Sequence, residues 1–321
     1  MRTRRHSQRS FRAAAAAAWL ALAAAPGAQA PGGAEALIRE GIIERISEHV
    51  HVIPQQGVRL VPNVGIVVGS RATLVVDTGL GPVNAQTILR EVARVRRGPD
   101  LYVASTHYHA EHAAGEAAFP ASATLVRARS QQRDIDELGA DGLLRFRSFS
   151  PLVAELLAGV RYRAADVVFE REHALDLGGV RARLLALGPT HTRGDTMVYV
   201  EGDGVLLAGD VVMNRQFPVF IGPTSSVAAW RGALEALTAL EVRHVVPSHG
   251  PLGDGSLIDE QRTYLETLDA QVRGLRVSGR SADETAELVT GAMQAAYPGW
   301  TGARWIGAAA RAAYREATRQ E

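Results

Sequence analysis

Short apolar runs separated by turn residues fill most of the chain before residue 251. Residues 64–68 and 72–76 are joined by a Gly-Ser-Arg turn, which is typical of a β-hairpin, and residues 49–53 precede them as a strand that ends at Pro54. Residues 101–104 have the apolar character of a buried strand. A later series of strands is predicted at residues 123–127, 167–169, 174–177, 180–187, 196–200, 205–207 and 244–247.

Helical spacing alternates with these strands, so we expect an α/β fold. Residues 84–96 carry apolar side chains on one helical face, and residues 228–240 predict a second amphipathic helix. Residues 130–163 predict a helical insertion of mixed polarity that lies over one end of the sheets.

The domain organisation follows from the same pattern. Residues 42–251 are predicted to form one catalytic domain, and residues 252–321 a helical C-terminal extension packed on it, with breaks at 278–279 and 298–299. Residues 31–41 are rich in Pro, Gly and Ala, which predicts a mobile segment. The sequence does not indicate an oligomeric state.

The first thirty residues have the composition of a signal peptide. Residues 1–12 contain five arginines and no acid, residues 13–25 are apolar, and Ala28-Gln29-Ala30 resembles a cleavage site. A retained membrane anchor is the alternative, but about 13 apolar residues are too few to span a bilayer core of ~30 Å. We therefore expect export to the periplasm or the medium, with no stable membrane span after cleavage. The general secretory route is expected over the twin-arginine route, since apolar residues do not follow the arginine pair.

Charge and cysteine content narrow the possible functions. Of 35 basic and 34 acidic residues, five arginines lie in the leader, so the rest of the chain has a net charge of −4. No basic surface is predicted, which argues against a nucleic-acid partner. The chain has no cysteine, so disulfides, thiolate ligands and a cysteine nucleophile are excluded.

Polar residues stand directly after several predicted strands. Asp77, the segment 107–112, His191, Asp210 and His249 each follow the carboxyl end of one. Strands that deliver polar side chains to the same end build a shared site on a rigid scaffold.

The segment 107–112 carries ligand-type side chains at high density: His107, His109, Glu111 and His112. Imidazole and carboxylate groups suit divalent zinc, and also iron or manganese. A surface histidine tract is the alternative, but this segment follows a buried-type strand and precedes a turn of small residues. The sequence therefore predicts a metal site here. His191, Asp210 and His249, taken one at a time, have a simpler explanation as turn residues.

Taken together, these motifs resemble those of the metallo-β-lactamase superfamily. Val76-Asp77-Thr78-Gly79, then His107-x-His109-x-Glu111-His112, then His191, Asp210 and His249 follow that family's order over about residues 46–251. The resemblance implies an αβ/βα four-layer sandwich with the metals at one sheet edge. It implies that His107, His109 and His191 bind one zinc ion, and that Glu111, His112 and His249 bind a second. Asp210 would bridge the ions or complete the second site, while Asp77 would fix the orientation of a ligand histidine. Asp195, close to His191 in the sequence, is expected to play a similar supporting part.

Glu111 departs from the family pattern, which has aspartate at this position. Glutamate has the same charge on a stem longer by one methylene group. Three interpretations remain open: Glu111 ligates the second metal, it binds poorly and leaves a one-metal enzyme, or it acts as a general base toward a metal-bound water.

The expected function is that of an exported zinc-dependent hydrolase with two Zn²⁺ ions. A metal-bound hydroxide would attack an amide or ester carbonyl, and a β-lactam is one candidate substrate. Glu111 and Asp210 would be the catalytic carboxylates, and the positive charge of the loaded site would favour an anionic small molecule. An iron-dependent oxygenase of the same fold and a non-catalytic periplasmic metal-binding accessory protein are the alternatives.

Three further residues are candidates for substrate contact. Arg59 lies in a hairpin loop expected to overhang the site, Arg193 follows His191, and Phe217 follows Asp210. The competing interpretations are solvated arginines and a core phenylalanine.

Overall fold

Two β-sheets organise the described part of the chain, which comprises residues 36–221 and 224–319 of the computed structural model. The first sheet has seven strands in sequential order: β1 (Glu44–Arg45), β2 (Val50–Ile53), β3 (Val64–Val68), β4 (Ala72–Val76), β5 (Asp100–Ala104), β6 (Thr124–Ala128) and β7 (Val167–Phe169). The second has the order β12-β11-β10-β9-β8, with β8 (Glu172–Asp176), β9 (Arg181–Ala186), β10 (Thr196–Val200), β11 (Val205–Gly209) and β12 (His244–Pro247). The predicted leader, residues 1–30, lies outside the described residues.

Strand direction explains why the polar motifs share one edge. β4 pairs with β5 in parallel, and β11 pairs with β12 in parallel. The carboxyl ends of parallel neighbours lie at the same edge of a sheet. Asp77 and the segment 107–112 therefore leave the first sheet side by side, and Asp210 and His249 leave the second in the same way.

Helices lie outside both sheets. They are α1 (Gly81–Val95), α2 (Ala110–Ala113), α3 (Arg129–Asp134), α4 (Ala140–Arg147), α5 (Pro151–Leu156), α6 (Val227–Leu237), α7 (Ser256–Val277), α8 (Ala282–Ala296) and α9 (Ile306–Arg319). A π-helical turn, Ile135–Gly139, joins α3 to α4. The predicted insertion at 130–163 is helical only as far as Leu156, and the chain then turns at Gly159, where φ is +69°. Within the described ranges, no helix is long and apolar enough to cross a membrane.

The core is arranged in layers that match the expected sandwich. Alternate side chains of the two sheets meet between them, as Leu74 does with Leu184 and Leu207. On the outer face of the first sheet, α1 contributes Ile88. On the outer face of the second, α6 contributes Trp230. The αβ/βα four-layer architecture predicted from the sequence is confirmed.

The C-terminal helices share a core with the second sheet. Leu268 of α7, Val289 of α8 and Ala310 of α9 are fully buried in the cluster that contains Tyr199 and Leu206 of that sheet. The division into a domain of residues 42–251 and an extension of 252–321 remains a prediction about chain organisation, but the packing joins the two parts through one apolar layer.

The described start of the chain is anchored. Ala36 and Ile38 are buried, and the Ile38 N–H donates to Asn84 Oδ1 at 2.7 Å. Asn84 Nδ2 donates in return to the Ala36 carbonyl at 2.8 Å. A buried amide of α1 thus pairs with the backbone of residues 36 and 38, while the expectation of a mobile segment at 31–41 stays a prediction. Residues 31–35 lie outside the described part.

Candidate metal centre

Asp77 shapes the loop that carries the cluster. It has φ of +71°, in the left-handed region that Asp tolerates better than most residues, and its side chain is buried. Asp77 Oδ1 accepts from the Thr106 N–H at 2.7 Å, and Oδ2 accepts from His112 Nδ1 at 2.9 Å. Ser248 Oγ also donates to Oδ2, at 3.3 Å. One carboxylate thus ties the loop after β5 to the loop after β12.

Three histidine nitrogens converge in the first part of the site. His109 Nδ1 lies 2.9 Å from His107 Nε2 and 3.1 Å from His191 Nε2, and all three side chains are buried. Burial and the neighbouring histidines hold the pKa of His107 and of His109 well below the usual value. The rings are therefore neutral, which is the form in which imidazole binds a metal. Tetrahedral zinc with Zn–N bonds of ~2.0–2.1 Å separates its ligand nitrogens by roughly 3.3 Å, close to these spacings.

Contacts of the outer nitrogens orient two of these rings. His191 Nδ1 donates to the Val219 carbonyl at 2.6 Å, so its Nε2 keeps a free lone pair. His107 Nδ1 lies 3.2 Å from Thr106 Oγ1. Such contacts set the tautomer and the orientation of ligand imidazoles.

A second group faces the first across Asp210. His112 Nε2 lies 3.9 Å from Glu111 Oε1 and 4.0 Å from Asp210 Oδ1, and His249 Nε2 lies 3.8 Å from the same Asp210 oxygen. The other oxygen, Asp210 Oδ2, is 3.5 Å from His191 Nε2. Asp210 therefore presents one oxygen to each histidine group.

The donor set fits cations. Among the described residues, Glu111 Oε2, His112 Nε2 and Asp210 Oδ1 are buried side-chain atoms without a hydrogen-bond partner. An unsatisfied buried polar group costs about 1–3 kcal/mol, and more if it is charged. Atoms of this kind in neighbouring side chains fit a candidate cation site. Ligand atoms within 4.8 Å of one another form the groups His107–His109–His191, His107–His112–Asp210 and Glu111–His112–His249.

The two carboxylates of the centre have different electrostatic surroundings. Burial raises the pKa of Glu111, although His112 and His249 act in the opposite direction. Burial also acts to raise the pKa of Asp210, but the charges of His249, His112 and His191 outweigh it and the pKa falls below its usual value. The pKa of His112 rises to about 9, because its pairing with Asp77 more than offsets burial.

Asp195 supports the loop that carries His191. Its carboxylate accepts from the Thr192 N–H at 2.7 Å, from Thr192 Oγ1 at 2.6 Å and from Thr190 Oγ1. Burial raises its pKa. The structure thus places Asp195 behind the ligand loop, where the sequence predicts a supporting residue.

The two arginines predicted as substrate contacts have neighbours in or next to the helical insertion, and their role toward a substrate stays a prediction. The Arg193 guanidinium is engaged by Asp134 at 3.3 Å and by Glu137 at 2.8 Å, both in the helical insertion. The exposed Arg59 guanidinium lies 5.4 Å from the ring centre of Phe149.

Phe217 is a core residue, so its prediction as a wall of the pocket is corrected. It is 1% exposed, and its ring centre lies 5.5 Å from that of Tyr264 and 5.3 Å from that of Trp300. These aromatic partners come from α7 and from the segment after α8, and together they draw Phe217 into the layer outside the second sheet.

Two residues that sequence reasoning missed hold the His249 loop. Asn63 Nδ2 donates to the carbonyls of Pro247 at 2.8 Å and Gly250 at 2.9 Å, and Gln55 Oε1 accepts from the Gly250 N–H at 2.8 Å. Gln55 Nε2 also lies 3.4 Å from His249 Nδ1. Their position in the loop between β2 and β3 is the only sequence signal for this role.

A buried ion pair, Glu116–Arg127, is linked to the segment 107–112 through Ser105. Ser105 Oγ donates to Glu116 Oε1 at 2.8 Å and lies 3.2 Å from the His112 carbonyl. Glu116 in turn pairs with Arg127 at 2.5 Å, and both side chains are 1% exposed. This support was not predicted, since neither residue stands in a recognisable motif.

Comparison with known proteins gives one family. The model of the metallo-beta-lactamase superfamily matches residues 57–249. The sec-alkylsulfatase Pisa1 from Pseudomonas sp. is structurally similar, with a TM-score of 0.65 and 16% identity over 85% of this chain and 50% of that one. A metallo-beta-lactamase from Pontibacter korlensis gives 0.55 and 20%, over 70% and 98% of the two chains. A metallo-beta-lactamase family protein from Thermus thermophilus gives 0.57 and 19%, over 81% and 88%. This chain spans half the length of the alkylsulfatase, and at such identities the likeness shows the fold alone.

Proposed function

Since the chain belongs to the metallo-beta-lactamase superfamily, we propose that it is an exported hydrolase that holds two zinc ions and cleaves an amide or ester bond in an anionic small molecule. The observation that supports this most is the position of Asp210, with one carboxylate oxygen toward each of two groups of buried histidines. A single-metal site has no need of a carboxylate placed in this way.

The spacing of the candidate ligand atoms supports the proposed assignment. His107, His109 and His191 would hold one ion, and Glu111, His112 and His249 the other, with Asp210 between them. Zinc bound at such a site polarises a carbonyl oxygen and lowers the pKa of water toward neutrality.

Glu111 is proposed as a ligand rather than as a free general base. Its side chain is buried, Oε1 points toward His112 Nε2, and Oε2 has no hydrogen-bond partner among the described residues. A free general base would need room for a water and solvent access, and Glu111 is only 7% exposed. Glu111 is the second residue of the short helix α2.

The charge of the ligand set argues for the substrate class. Imidazole binds a metal in its neutral form, so in the loaded site the five histidines and two carboxylates would carry −2, and two divalent ions would leave the site positive. A buried positive site attracts an anionic substrate and repels a cationic one. A β-lactam with its carboxylate is one candidate, and a sulfate ester is a second, suggested by the alkylsulfatase among the structural relatives.

The test is a hydrolysis panel with the purified, zinc-loaded protein. Nitrocefin, a carbapenem, an aryl ester, a lactone and a secondary alkyl sulfate are compared before chelation, after chelation and after zinc is restored. We expect turnover of at least one anionic substrate that is lost with the metal and returns with zinc. His107→Ala should abolish it, whereas His244→Ala, a change of an exposed histidine on β12, should not. No turnover across the panel, or turnover that survives chelation, would reject the proposal.

Metal identity and export are tested separately. If protein isolated from cells contains stoichiometric iron, the proposed metal is iron and not zinc, and an oxygenase is favoured over a hydrolase. Activity that appears only in Glu111→Asp would favour a non-catalytic accessory protein. Export predicts a periplasmic or secreted product whose N-terminal residue is Pro31, and an uncleaved cytosolic product contradicts it.

A further inference from the structure

Two hydrogen bonds hold His191 from outside the metal centre, and both come from the chain that follows β11. The ring Nδ1 donates to the Val219 carbonyl at 2.6 Å. The backbone carbonyl of His191 accepts from Ser225 Oγ at 2.7 Å, and the side chains of His191 and Ser225 are both buried. Contacts of this kind set the orientation of a ligand imidazole. The geometry of His191 therefore depends on where Val219 and Ser225 lie.

The C-terminal extension contacts the chain around Val219. The Phe217 N–H donates to the Thr301 carbonyl and the Thr301 N–H donates to the Arg215 carbonyl, both at 2.9 Å, so the two segments pair like neighbouring parallel strands. Four residues after Thr301, the buried side chain of Trp305 belongs to the same small apolar cluster as Val219. The extension thus contacts both the backbone that precedes Val219 and the side chain of Val219 itself.

The same extension contacts the chain next to Ser225. Helix α6 begins two residues later, at Val227, and the first N–H groups of a helix have no partner within it. Here they donate to the carboxylate of Glu316 in α9, Val227 to Oε1 at 2.9 Å and Ala228 to Oε2 at 3.0 Å. The dipole of α6 also favours a negative charge at this end. Glu316 therefore fixes the start of α6 close to Ser225.

Two separate contacts of the extension thus converge on one candidate ligand. Trp305 reaches the ring of His191 through Val219, and Glu316 reaches the backbone of His191 through Ser225. The supports described above for the second group of ligands come instead from the first sheet and its loops. A change in the extension should therefore act on the first group.

We infer that Glu316 and Trp305 are positioning residues that hold His191 in place to bind a metal ion, so that the C-terminal extension is part of the functional site. The inference rests on the proposed function, because it assigns His191 to one of the two ions. It predicts that a change in Glu316 or Trp305 weakens the ion held by His107, His109 and His191.

The test uses the full-length protein with Glu111→Gln as background, since loss of that ligand should leave the ion at the three histidines. In Glu316→Gln the amide NH₂ group must face one of the two N–H groups of α6, because both carboxylate oxygens accept there. We expect the Kd of the remaining zinc, measured with a chromophoric chelator, to rise about tenfold. Glu284→Gln is the matched control, because it removes the same charge from the first turn of α8, where Glu284 accepts from the Ser281 N–H.

A double-mutant cycle shows whether Glu316 acts through Ser225. Ser225→Ala alone should also raise the zinc Kd about tenfold, since it removes the hydrogen bond to the His191 carbonyl. The double variant should raise the Kd by about tenfold in total rather than by about 100-fold, because changes along one chain of contacts are not additive. Trp305→Leu acts through Val219, so its effect should add to that of Ser225→Ala.

The outcomes separate this inference from the proposed function. An unchanged zinc Kd in Glu316→Gln, or an effect fully additive with that of Ser225→Ala, would overturn the inference and leave hydrolysis untouched. A lower melting temperature of the metal-free variant without a change in zinc Kd would show a purely structural role and would also overturn it. If Trp305→Leu does not fold, the cycle of Glu316 and Ser225 decides. A wild-type chain that binds no zinc would reject the proposed function and this inference together.

Discussion

Replacing Asp77 by asparagine should weaken the second metal site without removing any ligand. Asparagine tolerates the left-handed backbone at this position and has nearly the same shape. The amide oxygen of the asparagine must take the position of Oδ1, because the buried Thr106 N–H donates a hydrogen bond there at 2.7 Å and a backbone N–H cannot act as an acceptor. The amide NH₂ group then takes the place of Oδ2, which faces His112 Nδ1 at 2.9 Å.

The consequence is a change of tautomer in His112. An NH₂ group at this position donates a proton, so Nδ1 must become the acceptor and the ring proton moves to Nε2. That nitrogen faces Glu111 and Asp210 and is the proposed ligand atom. Loss of such a supporting contact typically costs about 10- to 100-fold in metal affinity, or roughly 1.4–2.7 kcal/mol.

Competition with a chromophoric chelator measures the two zinc affinities. We expect Asp77→Asn to raise the Kd of one zinc by about 10- to 100-fold and to leave the other within about threefold, because His107, His109 and His191 do not contact Asp77 through hydrogen bonds. Asp100→Asn, an exposed change at the other end of the neighbouring strand, is the control. Unchanged affinities in Asp77→Asn, or an equal loss at both sites, would refute the tautomer argument.

Three further predictions concern charge. Glu111→Gln should lower the zinc content to one ion per chain by mass spectrometry, while Glu111→Asp should retain two; two ions in the glutamine variant would show that the carboxylate is not a ligand. Burial acts to raise the pKa of Asp203, but hydrogen bonds from Ser47 and His49 outweigh it, so the folded pKa is depressed. The ionised Asp203 therefore stabilises the fold above the ordinary pKa of Asp, and this contribution is lost as pH falls through the depressed pKa of the folded protein. Asp203→Asn should lower the free energy of unfolding by urea by about 1–2 kcal/mol at neutral pH. If the variant is less stable than wild type by the same amount at pH 2, the ionised carboxylate is not the cause. Glu116→Gln leaves Arg127 buried without its ion pair and should destabilise the protein by about 3–5 kcal/mol, and a loss below 1 kcal/mol would show that the pair is not needed for the fold.

The fold and the grouping of the candidate ligand residues could be predicted because their signals are local. Most strands are short apolar runs. Asp77 and Asp210 stand directly after one, and His249 stands two residues after another. The parallel pairs then bring those positions to a common edge, so the order of motifs along the chain is enough to anticipate which residues meet.

The surroundings of the ligands could not be predicted because they depend on distant segments. Phe217 has the composition of a pocket wall, but its neighbours Tyr264 and Trp300 follow it by dozens of residues and bury it. Arg193 forms ion pairs with Asp134 and Glu137 of the helical insertion. No sequence motif indicates that this insertion packs against the loop that contains His191. The composition of residues 31–41 likewise gives no sign of the buried amide of α1 that bonds the backbone of residues 36 and 38.

The number of zinc ions per chain tests the central claim most directly. Native mass spectrometry of the zinc-loaded protein, after exhaustive dialysis against metal-free buffer, should show two ions on the wild-type chain. The reason is that the described residues form two groups of candidate ligands with Asp210 between them. A single ion under these conditions would contradict the two-metal centre, and no retained ion would contradict the metal site altogether.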